Sequence, residues 1–299
     1  MLRFLSIFVG AVLASLPAFA CEMSAEDRST ALTAYVENGT ACLENLPDTF
    51  RFDLEAEKQF EREINKEREK AGLKRLKVRA ETRPAARFHS LDMGVNAFFA
   101  HQSPDGFRHG DRIAAFDRRL VLDRSAENVA QFGPAVCTDQ NDQVVSCLLL
   151  PGFELPTRNH VVEHLHKELM QSEGHRENIL DPEVTHMAVG VSRSDTGFYV
   201  TQLFVSVVGT FEAPLPLAFE AGQSIEADLI LDDWETYQYA IMVEGDPQDL
   251  KNNKLPRDVS GEVGVNVRAE RVVEDGKRKS VFWIYLSGPK ITVTSAKES

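Results

Sequence analysis

The chain is short of several things, and each shortage excludes something. Its 299 residues hold only four cysteines and two tryptophans, so a cysteine-dense disulfide scaffold does not describe it. None of the cysteines has the close spacing of a zinc knuckle, which excludes a metal site built on cysteine pairs. Basic charge is in deficit: 33 Lys and Arg stand against 46 Asp and Glu, a formal net charge of −13. A chain this acidic gains nothing from releasing counterions off phosphate, so nucleic acid is not an expected partner. After residue 20 no apolar run approaches the roughly 20 residues that a bilayer-spanning helix needs, and no transmembrane segment is expected. Internal repeats and low-complexity tracts are absent too.

What is present begins with residues 1–20, MLRFLSIFVGAVLASLPAFA. Arg3, a short apolar run and the small residues before Cys21 have the layout of a secretory signal peptide. Its removal takes Arg3 away and moves the net charge from −13 to −14. A lipid-anchored Cys21 is the other reading of that junction, but Ala18 and Phe19 fit a lipid-attachment box poorly. A secreted or periplasmic location follows, where an even cysteine count favours disulfides. Cys21, Cys42, Cys137 and Cys147 permit three pairings, of which the local ones, Cys21–Cys42 and Cys137–Cys147, are the simplest.

The length suggests two domains, and hydrophobic periodicity supports that. From Leu54 to Phe132 the pattern is helical. Phe60 and Ile64 sit among charges with Gly72 as a C-cap, and RPAARFHSLDMGVNAFFAH turns Ala86, Leu91, Met93 and Val95 inward up to His101. HVVEHLHKELMQSEGH predicts a third helix, to Ser172, stopped at Gly174. HMAVGVSRS and GFYVTQLFVSVVGTF then read as strands. After Phe211, APLPLAF marks a linker. QSIEADLILD, YQYAIMVEG, EVGVNVRAERVV and KSVFWIYLSG follow as alternating strands, the last two joined as a hairpin across Glu274-Asp275-Gly276-Lys277. The expected division is a signal peptide (1–20), an N-terminal extension (21–53), an α+β domain (54–210) and a small antiparallel all-β sandwich (211–299).

Chemistry-bearing residues are scattered. His101 precedes the turn Ser103-Pro104-Asp105-Gly106, either as a site histidine or as a helix-end histidine bonded to a carbonyl. Glu127 in RSAENVAQF reads also as a first-turn glutamate at a helix N-terminus. His164, Glu168 and Ser172 are four apart and share one helix face, which a solvated surface explains equally. His175 lies past Gly174, where helical spacing does not fix its direction. His160 to His164, HVVEH, matches the string of inverted zinc peptidases, with Glu168 as a further ligand; those enzymes are much larger, and a histidine-rich helix surface is the simpler account.

Taken in order, five phrases resemble the CAP superfamily of cysteine-rich secretory, antigen 5 and pathogenesis-related proteins, in its secreted bacterial branch. They are INKEREKAGLKRL, FHSLDMGVNAFFAHQSPDGFRHGDRI, SAENVAQ, SEGHRENILDPEVTHMAVGV and YVTQLF. They cover about residues 57–208 and leave the C-terminal β region outside. The resemblance implies a CAP-type α-β-α sandwich whose cleft gathers two histidines and two acidic residues. His101 fits the first histidine and Glu127 the first glutamate. The second glutamate falls on Glu168 or on Ser172, depending on whether Leu165 or Leu169 stands for the family's tryptophan. The second histidine's place before the threonine-glutamine of a strand holds Tyr199, and His175 can serve instead.

Chemically, His101, Glu127 and His175 suit zinc or a similar divalent ion, or a polarised water with histidine as base. The expected function is binding of a ligand or partner outside the cytoplasm: an apolar small molecule, a metal or an envelope component. The alternative is a metal-dependent hydrolase or peptidase using the same residues. Trp234, Tyr237, Tyr239, Trp283 and Tyr285 on the C-terminal strands read as core packing ahead of a sugar-binding cluster, and the Trp283–Tyr285 face, alternating away from Phe282, Ile284 and Leu286, reads as a binding patch or an interdomain contact.

Overall fold

The computed structural model describes residues 21, 31–133, 135–136, 148–149, 154–232, 234, 236–275 and 278–295. Residues 1–20, Cys137 and Cys147 lie outside the described residues. Cys21 and Cys42 form a disulfide.

Asp53 anchors the first long helix. Its Oδ1 accepts the backbone N–H of Ala56 at 3.1 Å and so caps α2 (Leu54–Lys70), while Arg158 and Arg193 hold the same carboxylate at 2.7 and 3.2 Å. α1 (Leu32–Glu44) precedes it, and α3 (Arg83–Val95), α4 (His109–Phe116), α5 (Arg158–Gln171) and α6 (Glu173–Leu180) follow. Between them runs an antiparallel sheet in the order β1 (Arg51–Phe52), β6 (His186–Arg193), β7 (Phe198–Phe211), β3 (Leu120–Phe132), with β2 (Lys77–Val78) parallel on β6. A short pair, β4 (Ala135–Val136) and β5 (Leu148–Leu149), stands apart.

Alternation sorts the strand side chains into two cores. Met187, Val189, Val191, Val200 and Phe204 face α2, α5 and α6, where Phe60, Ile64, Val162 and Leu165 meet them. Ala188, Leu203 and Val205 face Ala85 and Ala86 of α3 and Ile113 of α4. Helices thus cover both faces, and this part is an α-β-α sandwich.

Three local expectations are overturned. Residues 120–132 form a 13-residue strand rather than helix, because pairing with β7 from Ser125–Val205 to Phe132–Phe198 overrides the local pattern. α3 stops at Val95, where Asn96 caps it and Ala97 takes φ 51°, so His101 stands in a loop and not at a helix end. Gly174 does not stop α5. The extended backbone of Ser172 (φ −77°, ψ 126°) ends that helix and begins α6, which contains Gly174.

The C-terminal strands are β8 (Ala218–Glu220), β9 (Leu229–Leu231), β10 (Thr236–Val243), β11 (Asp246–Asp249), β12 (Gly261–Asp275) and β13 (Arg278–Thr294). β12 and β13 form the expected hairpin, Asp275 opposite Arg278, and β10 and β11 continue the antiparallel order. Tyr239, Val265, Val267 and Leu286 pack under Leu215, Phe219, Ile225 and Leu255, closing an antiparallel β-sandwich except that β8 lies parallel to β13. Trp283 is 59% exposed beside Arg268, and Tyr285 donates its hydroxyl to Asp249 at 3.0 Å.

The two sheets meet edge to edge. Ser287 of β13 pairs with Leu122 of β3, and β9 pairs with the end of β7. The linker is not a loose tether: Arg118 donates to the carbonyls of Leu215, Pro216 and Lys290, with 3.0 and 2.8 Å to the first two. Among the described residues no helix is long and apolar enough to cross a membrane.

The approach of α3 to the sheet depends on Gly190. A Cβ there would lie 2.3 Å from the Ala86 carbonyl carbon and the Arg87 nitrogen, both backbone atoms that cannot yield alone. Gly190→Ala is therefore expected to cost about 2–3 kcal/mol or more. A denaturant melt checks it; a loss under about 0.5 kcal/mol contradicts the close approach.

Candidate functional site

The site is built around a buried guanidinium. Arg112 lies on the inward face of α4, four residues before Phe116 and one before buried Ile113. Its Nη1 donates to Ser103 Oγ at 3.1 Å and to the Phe107 carbonyl at 2.8 Å. Its Nη2 donates to the His101 carbonyl at 3.0 Å and to Glu127 Oε2 at 2.6 Å. The loop from His101 to Phe107 therefore wraps one side chain. The Ser103-Pro104-Asp105-Gly106 turn closes with the Gly106 N–H on the Ser103 carbonyl at 2.8 Å, and Gly106 supplies the positive φ of 91°.

Glu127, 4% exposed, points from β3 into this cluster. Its second oxygen, Oε1, is 3.0 Å from His101 Nδ1. Burial alone raises its pKa. The Arg112 charge, followed by His89 and the hydrogen bonds from His101 and Arg112, outweighs that and brings it to about 2. The carboxylate is thus ionised and can only accept, so His101 Nδ1 carries a proton, and a neutral His101 has its lone pair on Nε2. His101 keeps 34% of its side chain exposed.

A second histidine sits beneath. His89 is fully buried on α3, four residues after Ala85 and four before Met93. Its Nε2–H donates to the Ala100 carbonyl at 3.0 Å, leaving Nδ1 to accept from Ser103 Oγ at 3.4 Å. Ser103 in turn accepts from Arg112, so every proton in the chain has one consistent position. Burial, helped by the Arg112 charge, pulls His89 down to about 3.

From the other layer, α6 brings His175. Its ring centroid is 6.5 Å from that of His101, and its carbonyl accepts from Asn128 Nδ2 at 3.1 Å. Burial and the His101 charge lower its pKa. The two histidines come from opposite faces of the sheet and meet around the outer edge of β3. Side chains satisfy that edge: His109 Nε2–H donates to the Ser125 carbonyl at 3.4 Å and Asn178 Nδ2 to that of Glu127 at 3.2 Å.

The remaining candidates are elsewhere. Glu168 is exposed on α5 and pairs with His164 at 3.2 Å, which itself lies 6.4 Å ring to ring from His160. Ser172 forms the α5–α6 corner. Tyr199 shares the Glu127 face of the sheet and packs with Phe99 beside buried Met93, Phe98 and Val129. His101, Glu127 and His175 do not make a three-ligand metal set. Both Glu127 oxygens are engaged, Oε1 by His101 and Oε2 by the Arg112 guanidinium. Among the described residues no three His, Cys, Asp or Glu side chains group to hold a metal ion.

Sequence reasoning passed over Arg112, His89, Ser103 and His109. The signal for His89 was present: helical spacing puts it on a face with Ala85, Ala86 and Met93.

The chain has counterparts among known proteins. Residues 61–208 match the model of the cysteine-rich secretory protein family, CAP, and through this domain the chain belongs to the CAP superfamily. The C-terminal sandwich lies outside the match. Over 149 residues the chain is 32% identical to uncharacterized protein YkwD of Bacillus subtilis (strain 168), covering 50% of this chain and 46% of that one. The chain thus spans about half the length of this curated relative. An outer surface protein from Borrelia burgdorferi is a similar solved structure, 17% identical, covering 52% of this chain and 98% of that chain with a TM-score of 0.39. So is an extracellular protein containing a SCP domain from Bacillus anthracis str. Ames, 25% identical over 50% of this chain and 40% of that one, TM-score 0.37.

The cluster can be tested through its stability. Arg112→Ala leaves Glu127 buried and uncompensated and is expected to cost about 3–5 kcal/mol in a urea melt. A loss below about 1 kcal/mol contradicts the pairing.

Acid should unfold the protein in two ranges. Glu127, depressed from 4.5 to about 2, stabilises the fold above its unfolded pKa and loses that contribution as pH falls through this window. His89, depressed from 6.5 to about 3, takes up its proton only in the unfolded chain across that interval, so stability also falls as pH drops from 6.5. His89→Asn should flatten the stability–pH curve above pH 4.5 and leave the lower fall, as read by denaturant melts at stepped pH.

Proposed function

We propose that the protein is exported and binds a ligand or envelope partner in the cleft between the loop carrying His101 and α6. The observation that carries this reading is the 3.0 Å contact between His101 Nδ1 and the Glu127 carboxylate. It holds the ring through Nδ1–H, so that in the neutral form the lone pair lies on Nε2, the ring nitrogen away from Glu127. Such a group recognises an N–H or O–H donor on the bound molecule. His175, whose pKa burial lowers, supplies a second imidazole. The Cys21–Cys42 disulfide supports an oxidising compartment, in keeping with the expected signal peptide.

A carboxylate-held imidazole is also what general-base catalysis uses, and that makes hydrolysis the second reading. No metal step is derived, since Glu127 does not fit as a ligand while Arg112 holds it.

One experiment separates the two. A fragment library is screened by saturation-transfer NMR against the wild type, His101→Ala and His175→Ala, and a panel of ester and peptide substrates is assayed alongside. Fragments with a hydrogen-bond donor are expected to bind the wild type, to weaken by about tenfold in His101→Ala, and to be accompanied by no turnover. Equal binding by the wild type and His101→Ala overturns the cleft as the site. Turnover abolished by His101→Ala overturns the binding reading in favour of hydrolysis.

A further inference from the structure

A cavity of about 360 Å³ lies where the two domains meet, between α4, the start of β3 and the β10–β12–β13 sheet. That is within the range of small-molecule sites, roughly 300–1,000 Å³. Ile113, Ala114, Leu120, Leu122 and Met242 form its apolar wall. Gly110 and Glu262 line it as well and are solvent-exposed, so it opens at that rim.

Two features show that the void is built into the chain. Gly288 lines it, and a Cβ there would lie 2.5 Å from the Val265 carbonyl, so no side chain fits at that approach. The β12–β13 register shifts between Gly264 and Asn266, and both residues line the cavity. Asn266, only 5% exposed overall, lines the cavity and brings a side-chain amide to its wall. Such an amide can both donate and accept a hydrogen bond.

The charges around it select among ligands. Asp117 is neutralised by Arg79 at 2.6 Å, and Lys290 by Asp111 at 2.6 Å. Glu262 accepts the Leu32 N–H and has no cation beside it among the described residues. The cavity therefore carries a negative rim, which disfavours anions.

We propose that this junction cavity binds an uncharged amphiphile, with an apolar body against Ile113, Leu120, Leu122 and Met242 and one hydrogen-bonding head on Asn266. The site is separate from the histidine cleft and includes residues beyond the family domain. It makes the C-terminal sandwich half of a binding pocket.

The test uses N-phenyl-1-naphthylamine, an uncharged fluorescent probe with one N–H, beside its 8-sulfonate analogue, which keeps the ring skeleton and adds a negative charge. The uncharged probe is expected to bind saturably at one site per chain, and the sulfonate at least about tenfold more weakly. Ala114→Phe, which fills the cavity, should abolish the fluorescence gain. Asn266→Ala should weaken binding by about tenfold. His101→Ala should leave binding unchanged. Circular dichroism melts confirm that each variant is folded, and either cavity variant suffices if the other is not. Binding unchanged in a folded cavity variant, equal affinity for the sulfonate, or loss in His101→Ala overturns the proposal.

Discussion

The Arg112 guanidinium, buried under the loop from His101 to Phe107, is the point on which the His101–Glu127 cluster turns. Four of its N–H bonds reach the His101 and Phe107 carbonyls, Ser103 Oγ and Glu127 Oε2. A charge taken this far out of water is tolerated only when paired and hydrogen-bonded, and Glu127 in turn depends on Arg112 to remain ionised. From that pair everything near it acquires its position. The loop is wrapped, His101 is oriented through Nδ1, and the Ser103 hydroxyl is aimed at His89.

Proton placement follows from the same pair. An ionised Glu127 assigns the His101 tautomer, the Ala100 carbonyl assigns that of His89, and neither assignment conflicts with the other. His89 is kept neutral by burial next to a fixed cation, whereas His101 stays partly in solvent. Two histidines twelve residues apart thus stand in opposite settings: one is a structural acceptor and donor inside the layer, the other keeps a third of its side chain in solvent. The outer edge of β3 completes the design, since His109 and Asn178 satisfy its carbonyls with side chains and leave room for groups from both helical layers to meet there.

The C-terminal sandwich is tied to this frame rather than appended to it. Arg118, one residue after the buried Asp117, binds three carbonyls of the linker and β13, and burial lowers its pKa to about 10. The β-sheet continues across the junction at Leu122 and Ser287. Such fixation makes a cavity at the boundary a persistent feature of the molecule.

Much of the fold was legible in the chain itself. The five CAP phrases marked the α-β-α domain, the changed texture after Phe211 marked the β region, and Cys21 with Cys42 marked a local bridge. The helices over Phe60–Ile64 and Ala86–Met93 followed from spacing, because burial of one face imposes its period on the residues. Boundaries and long-range assignments did not. The strand at 120–132 exists through pairing with β7, about 75 residues away, which no local pattern encodes. The α5–α6 corner at Ser172 depends on packing against β3. His101 and Glu127 were recognisable as candidates, but the partner that binds them, Arg112, looks like any surface arginine until the fold buries it. Sequence determined which residue types were available and on which helix faces they fell. Only the tertiary structure decided which charges would share one dry volume, because burial, and with it the strength of an ion pair, belongs to no single segment.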